Sequence, residues 1–223
     1  MLPSQTVENY LKSIYLAEAA LPAERALVPM GQLASALGVT PGTATTMVKA
    51  LADSGLAHYE PYSGVKLTSA GEKLASMVLR RHRLIELFLV QVLGMSWAEV
   101  HDEAEHLEHA VSDRLIERID EMLGRPTVDP HGDPIPTAEG HVAASAASDL
   151  LSCPIGVAVR VTRVIDQDPE FLHFVEASQL KPGEQVTVDA RDGVADRVSL
   201  RYADGRVTTV GTRAAAKILV TPS

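Results

Sequence analysis

Cysteine is almost missing from this chain: Cys153 is the one thiol among 223 residues. That excludes a disulfide framework, and equally a zinc ribbon or iron–sulfur site built from cysteines. No apolar run approaches the roughly 20 residues that a membrane span requires. The N-terminus lacks the basic start and apolar core of a signal peptide, so a cytoplasmic location without a membrane partner is expected. Aromatic residues make up only 4% of the chain, and they form no cluster of the kind that lines a peptide-docking groove. Catalytic signatures are absent too. A zinc protease needs His-Glu-x-x-His, whereas this chain offers His106-Leu107-Glu108-His109, which leaves no free Glu between two ligating histidines. No Gly-x-Ser-x-Gly elbow and no phosphate loop occurs. Neither an enzyme nor a small-molecule substrate is expected.

What the chain does have is acidic charge in its middle. The net formal charge is −9. Residues 76–140 alone hold 6 basic against 13 acidic side chains. Five of the eight histidines, His82, His101, His106, His109 and His131, lie in or at the edge of that segment. Clustered imidazoles in an acidic setting fit a cation site, although composition alone favours a solvated helix face.

Residues 4–20 repeat Val7, Tyr10, Leu11, Ile14 and Tyr15 at helical spacing. A short helix around Met30–Leu37 stops at Gly38. Thr40 and Pro41 open another, as cap and first helical residue, which runs to Ser54-Gly55. Two alternating runs, 56–60 and 65–68, flank Pro61-Tyr62-Ser63-Gly64 as a hairpin. This order is the winged helix-turn-helix pattern, in which the second helix of the turn enters the major groove. Its polar face carries Thr40, Thr43, Thr45, Thr46 and Lys49. Hydroxyls there suit phosphates, and threonine methyls suit thymine methyls.

A long helix from Ser69 to about Val92 follows. Another begins at Ser96, with Glu99 as a capping-box partner, and runs to about Leu123 with a break near Val111-Ser112. Residues 129–136, with three prolines and a glycine, form a rigid strap. From Ile155 onward five short strands (157–165, 185–190, 197–202, 206–210 and 217–220) predict a small SH3-like barrel with one helical insertion at 171–180. The fold class is therefore mainly α with a β C-terminal domain. Its expected parts are a winged helix-turn-helix over 1–72, a helical metal-binding and dimerisation domain over 73–140, a linker over 141–154 and an SH3-like domain over 155–223.

The strongest chemical signal is residues 101–109. At about 100° per residue, His101, Glu105, Glu108 and His109 fall within one arc, beside an apolar ridge of Val100, Ala104, Leu107 and Val111. Imidazoles and carboxylates on a face bordering the core are costly to desolvate unless a cation neutralises them. His82 and Glu86 repeat the spacing on the preceding helix, and two helices each offering His and Glu can build a metal site. The alternative is a set of ordinary i, i+4 pairs worth a few tenths of a kcal/mol each.

At these residues the chain resembles the diphtheria-toxin-repressor family of metal-dependent transcriptional regulators, and within it the manganese-responsive branch. Arg81-His82-Arg83-Leu84, residues 100–113 and residues 129–136 carry the likeness most specifically. Glu8-Asn9-Tyr10-Leu11 and the wing, residues 59–68, support it. The resemblance implies that Glu105, Glu108 and His109, completed by Asn9, bind the activating metal. It implies a second site of His82, Glu86 and His101 with a carboxylate from the C-terminal domain, Asp168 being the candidate and Glu170 the next. Iron-responsive relatives carry Cys or Met where Glu105 stands, so a hard carboxylate here favours Mn²⁺. Asn9 stands where the manganese branch has Asp and the iron branch Met, and Lys12 stands where short manganese regulators place Glu.

The implied function is a Mn²⁺-activated repressor of metal-uptake genes. It would act as a homodimer on a palindromic double-stranded operator, with Pro41 and the residue 40–49 face reading the groove and Tyr62, Ser63 and Lys66 of the wing touching phosphate. Fe²⁺ is the alternative co-repressor, and Zn²⁺ or Cu²⁺ bind such ligand sets more tightly in vitro. A winged-helix regulator of an organic ligand would instead bind DNA whether or not chelator is present. A helical-bundle metalloenzyme would turn over substrate without operator affinity.

Overall fold

Four polar side chains start four helices in a computed structural model of the protein, which describes residues 4–22, 26–142 and 147–223. Ser4 accepts from Val7 N–H at the head of α1 (Gln5–Ala19), and Thr40 accepts from Thr43 N–H at the head of α3 (Pro41–Asp53). Ser112 accepts from Leu115 N–H at α6 (Asp113–Met122), and Asp168 accepts from Glu170 and Phe171 N–H at α7 (Pro169–Ala177). Each satisfies donors that a helix start leaves without an internal partner.

Two compact units result. The first comprises residues 1–82 with 136–142, the second residues 83–135 with 143–223.

In the first unit, α1, α2 (Met30–Ala36) and α3 bury Tyr10, Leu11, Ile14, Leu33, Ala34, Ala44, Val48 and Leu51 together. The wing pairs β1 (Ala57–Glu60) with β2 (Gly64–Leu67) in antiparallel register. Val28 adds a one-residue third strand, exchanging two backbone hydrogen bonds with Val65 at 2.8 and 3.0 Å. Gly64 has no alternative here: a Cβ would stand 2.3 Å from the Val28 carbonyl oxygen. The wing tip, Tyr62, is fully exposed with φ 65°.

The long helix α4 (Ser69–Gln91) runs from the first unit into the second. There Leu84, Ile85, Leu87, Val100, Ala104, Ile116 and Ile119 form a helical core. The break expected near Val111-Ser112 is present, but the helix before it is short: α5 spans only Val100–Leu107. Ser96 does not cap it. Its hydroxyl accepts from Ala98 N–H within a preceding turn, and Glu99 occupies the N-cap position without a side-chain bond. On α6, Leu115 and Met122 are 50% and 57% exposed.

The C-terminal part of this unit is an antiparallel sheet in the order β3-β8-β4-β5-β6-β7. Its strands are β3 (Ser148–Asp149), β4 (Ala158–Val164), β5 (Gln185–Asp192), β6 (Arg197–Tyr202), β7 (Val207–Val210) and β8 (Ile218–Pro222). Bulges interrupt β4 between Val161 and Arg163 and β5 between Val188 and Ala190, where extra residues bend the strands. The five expected strands are all present. The sixth, β3, lies within the stretch read as a linker, because two residues give no readable alternation. A single turn, α8 (Thr212–Ala215), is also additional. Trp97 and Ala98, from the loop before α5, are buried in the core of this sheet.

Candidate functional site

Two groups of side chains face inward from the helical part of the second unit. Glu86 on α4 is fully buried, and its Oε1 accepts from His101 Nδ1 at 3.3 Å. The other His101 nitrogen lies 3.8 Å from Glu105 Oε1. One turn on, the buried Glu108 carboxylate lies 3.3 Å from His109 Nε2. Because α5 ends at Leu107, Glu108 and His109 belong to the turn after it. Glu108 nevertheless keeps right-handed dihedrals, φ −57° and ψ −28°, so its carboxylate remains on the inner side. Leu107, by contrast, is 36% exposed and contributes little to the expected apolar ridge. His106 belongs to neither group, since its Nδ1 bonds the Asp102 carbonyl at 2.6 Å.

The strap supplies residues that the spacing of 101–109 does not reveal. Asp129, His131 and Asp133 are all buried. Asp129 Oδ1 accepts from the backbone N–H groups of His131 and Asp133 at 2.8 and 2.9 Å. His131 Nε2 lies 2.8 Å from the Trp97 carbonyl oxygen. A carbonyl only accepts, so this nitrogen carries a proton. Nδ1 has no hydrogen-bond partner. It lies 4.0 Å from both Glu86 Oε2 and Asp129 Oδ1. Glu86, Asp129 and His131 each offer a donor atom within 4.8 Å of the others, a grouping that could hold a cation.

Arg83 and Arg163 partly balance the charge, Arg83 standing 3.6 Å from both Asp129 and Asp133 and Arg163 pairing with Asp133. Burial pushes the Asp129 carboxyl well above its usual range, reinforced by Asp133 and Glu86 and opposed by Arg83. The sequence signal was an alternation, Asp129-x-His131-x-Asp133, in a segment whose prolines and glycine read only as a strap.

The remaining expected ligands are placed as follows. His82 is buried on α4 one turn before Glu86. Asn9, on α1 of the first unit, has its side-chain oxygen buried without a hydrogen-bond partner. Asp168 is exposed, and its Oδ1 is spent on capping α7. It joins none of the cation groupings found among the described residues.

The expected nucleic-acid face is the side of α3 bearing the threonines, together with the wing. Thr40, Pro41, Thr43, Thr46 and Lys49 are exposed, Thr45 is half-buried, and Tyr62, Ser63 and Lys66 project from the wing. The hydroxyl protons of Thr45 and Thr46 are not free to donate outward. Thr45 donates to the Pro41 carbonyl at 2.8 Å and Thr46 to the Gly42 carbonyl at 3.0 Å. What these two residues present is a methyl group and oxygen lone pairs, which suit a thymine methyl or a base amino group.

Comparison with known proteins matches three segments of the chain. Residues 3–65 match the N-terminal DNA-binding domain of iron-dependent repressors, and residues 68–137 match their metal-binding and dimerisation domain. Residues 149–222 match the FeoA domain. The iron-dependent repressor IdeR of Mycobacterium leprae is 31% identical over 82% of this chain and 84% of its own length. The transcriptional regulator MntR of Lysinibacillus sphaericus is 34% identical over 55% of this chain and 84% of its own. Among solved structures, a manganese-dependent transcriptional repressor in complex with manganese is 41% identical, with a TM-score of 0.87 over 97% of this chain and all of that one.

Proposed function

The chain belongs to the iron-dependent repressor family, which includes the diphtheria toxin repressor, and is a metal-dependent, DNA-binding transcriptional repressor; we propose that Mn²⁺ is the ion that activates it. The observation that carries this reading is the donor set. Glu105, Glu108 and His109 offer carboxylate and imidazole donors without sulfur, and such ligands suit Mn²⁺ at near-octahedral geometry. On the family resemblance alone, the amide oxygen of Asn9 is proposed as a further ligand. Two features fit a cation: that oxygen is buried without a hydrogen-bond partner, and the Glu108 carboxylate is fully buried. The 41% identical repressor complexed with manganese supports the same ion.

A bound divalent ion supplies the positive charge that residues 76–140 lack. Glu105, Glu108 and His109 would hold that ion on the inner face of α5 and its following turn. The threonine face of α3 then enters the major groove while Tyr62, Ser63 and Lys66 meet phosphate. The family dimerises. In this chain the exposed Leu115 and Met122 offer apolar surface for that contact, and a two-fold dimer reads a palindromic operator. Genes for metal uptake are the proposed targets.

A second cation position is proposed at Glu86, Asp129 and His131. Glu86 directs one oxygen to His101 and the other towards His131, so it serves both the expected His82–Glu86–His101 set and the strap. This assigns the C-terminal ligand role to Asp129 and His131 instead of Asp168.

Fe²⁺ is the second reading, favoured by the iron-dependent relative from Mycobacterium leprae and by the uncharged Asn9. Fluorescence anisotropy of DNA from upstream of the protein's own gene separates the two. Chelator-treated protein is titrated with Mn²⁺ or with anaerobic Fe²⁺. Tight binding with Mn²⁺ alone is expected. An equal response to Fe²⁺ would replace the manganese reading with a broader sensor, and binding insensitive to chelator would remove the metal role altogether.

A further inference from the structure

The outer edge of the wing is held by one carboxylate. In the β1–β2 ladder, Thr68 N–H bonds the Leu56 carbonyl at 3.1 Å, and the register pairs Ala57 with Leu67. Antiparallel pairing alternates bonded and non-bonded pairs. Val65 and Leu67 therefore turn their N–H groups away from β1, to the open edge of β2. Val28 covers Val65. Leu67 N–H is covered by the side chain of Glu18, whose Oε1 accepts it at 2.6 Å. Glu18 lies in the last turn of α1 and is half-buried. Burial pushes its carboxyl up from the ordinary range, and Glu72 and Lys66 are the other charged groups acting on it.

A carboxylate kept in that setting is a costly way to hold two elements together unless the link matters, because an apolar contact would avoid desolvation. The link joins two particular places. Glu18 stands nine residues after Asn9 on the same helix, about 14 Å along its axis at 1.5 Å per residue. Leu67 ends the strand that carries Lys66 and follows Tyr62 and Ser63.

We propose that Glu18 is a positioning residue for operator binding, fixing the wing to α1 through the Leu67 amide. A displacement of α1 is thereby passed to the phosphate-contacting wing. The transmission rests on the reading of Asn9 as a ligand, whereas the wing anchor itself stands without it.

The test compares Glu18→Leu, which keeps the apolar stem, with Glu18→Gln, which keeps an acceptor oxygen. Operator affinity is measured by anisotropy at saturating Mn²⁺, backbone hydrogen exchange is followed in the wing and in α3, and Mn²⁺ stoichiometry is read by electron paramagnetic resonance. Loss of a charge-assisted hydrogen bond of this kind lowers affinity about tenfold if the wing must be ordered on binding. The expected result is that Glu18→Leu loses about tenfold in operator affinity and loses protection at Leu67 and its wing neighbours. Protection in α3 and the number of Mn²⁺ ions bound should be unchanged, and Glu18→Gln should recover affinity to within about twofold. Unchanged affinity in Glu18→Leu overturns the proposal, as does a loss in Glu18→Gln equal to that in Glu18→Leu. A fall in affinity with wing protection intact overturns it too. If Glu18→Leu does not fold, Glu18→Asp, which withdraws the carboxylate by one methylene, carries the same expectations. Wild-type binding that ignores Mn²⁺ would sink the metal reading and leave this comparison readable.

Discussion

Replacing Gly132 with alanine should destabilise the second unit and empty the cation position at the strap while leaving the other intact. Gly132 lies between His131 and Asp133 with φ +85°, and a Cβ there would stand 1.9 Å from the Thr162 carbonyl oxygen and 2.8 Å from Arg163 Cα. Ordinary contact begins at 3.4 Å, so the strap must retreat from β4 by about 1.5 Å. Retreat breaks the bond by which Val164 N–H donates to the His131 carbonyl at 2.8 Å. The positive φ costs an L-residue about 1–2 kcal/mol, and the lost buried bond about 1–3 kcal/mol. A total of about 3 kcal/mol corresponds to a Tm lowered by roughly 6–12 °C in a chain of this size. Gly156 supplies the control. Its φ is +76°, but nothing lies within 4 Å of its would-be Cβ, so Gly156→Ala should show only the dihedral cost. Thermal unfolding by circular dichroism and equilibrium dialysis against Mn²⁺ measure the two effects. A Gly132→Ala protein melting within 1 °C of Gly156→Ala would refute the steric argument. An undiminished Mn²⁺ stoichiometry would refute the role given to His131 and Asp129.

Three further outcomes are expected. Thr40→Ala removes the cap of the recognition helix and should cost about 1 kcal/mol, read as a Tm lowered by roughly 2–4 °C with weaker operator binding; Thr40→Ser should restore both. Asp129→Asn keeps the oxygen that accepts from His131 and Asp133 but removes a buried charge whose carboxyl is pushed well up. It should raise the Tm of the metal-free protein and bind one Mn²⁺ fewer, and a lower Tm would show that Asp129 is stabilising as an anion. Burial raises the Glu18 carboxyl above its ordinary value of about 4.5, so its ionisation opposes folding. Relative to Glu18→Gln, wild-type protein should lose stability as pH rises from about 4.5 through the raised folded value, then run parallel above it. A Tm difference that is flat from pH 4 to 8 would contradict that sign.

The first unit was legible because its cues are local. Thr40-Pro41 opens a helix wherever it occurs in such a pattern, and Pro61-Tyr62-Ser63-Gly64 between alternating runs has few outcomes other than a hairpin. The threonine face of α3 was readable as a surface. The direction of its hydroxyl protons was not, since that depends on carbonyls four residues back. The His/Glu face of 101–109 follows from helical periodicity, although the helix ends at Leu107; Glu108 stays right-handed past the end with its carboxylate buried. β3 escaped because a two-residue strand is defined by its partner, β8, about seventy residues away. Ser96 misled for a similar reason: Ser-x-x-Glu is a start signal only if the helix begins there, and burial of Trp97 in the sheet core forces a turn first.

Asp129 and His131 show what periodicity cannot carry. A strap has no period, so its side chains acquire meaning only from what the strap lies against. Here two constraints set them. Gly132 brings the backbone within contact of β4, and the Nε2–H of His131 donates to the Trp97 carbonyl. Together they leave Nδ1 without a partner, facing two buried carboxylates that are too far to bond it. Two buried carboxylates around that nitrogen are unfavourable unless positive charge comes between them, whether as a proton or as an ion. A proton satisfies only one of the two 4.0 Å gaps, because a single N–H points in one direction. A cation among Nδ1, Glu86 and Asp129 satisfies both, and it leaves the other Glu86 oxygen with His101. That geometry makes Glu86, not the exposed Asp168, the residue through which the strap and α5 are expected to respond together when Mn²⁺ is added.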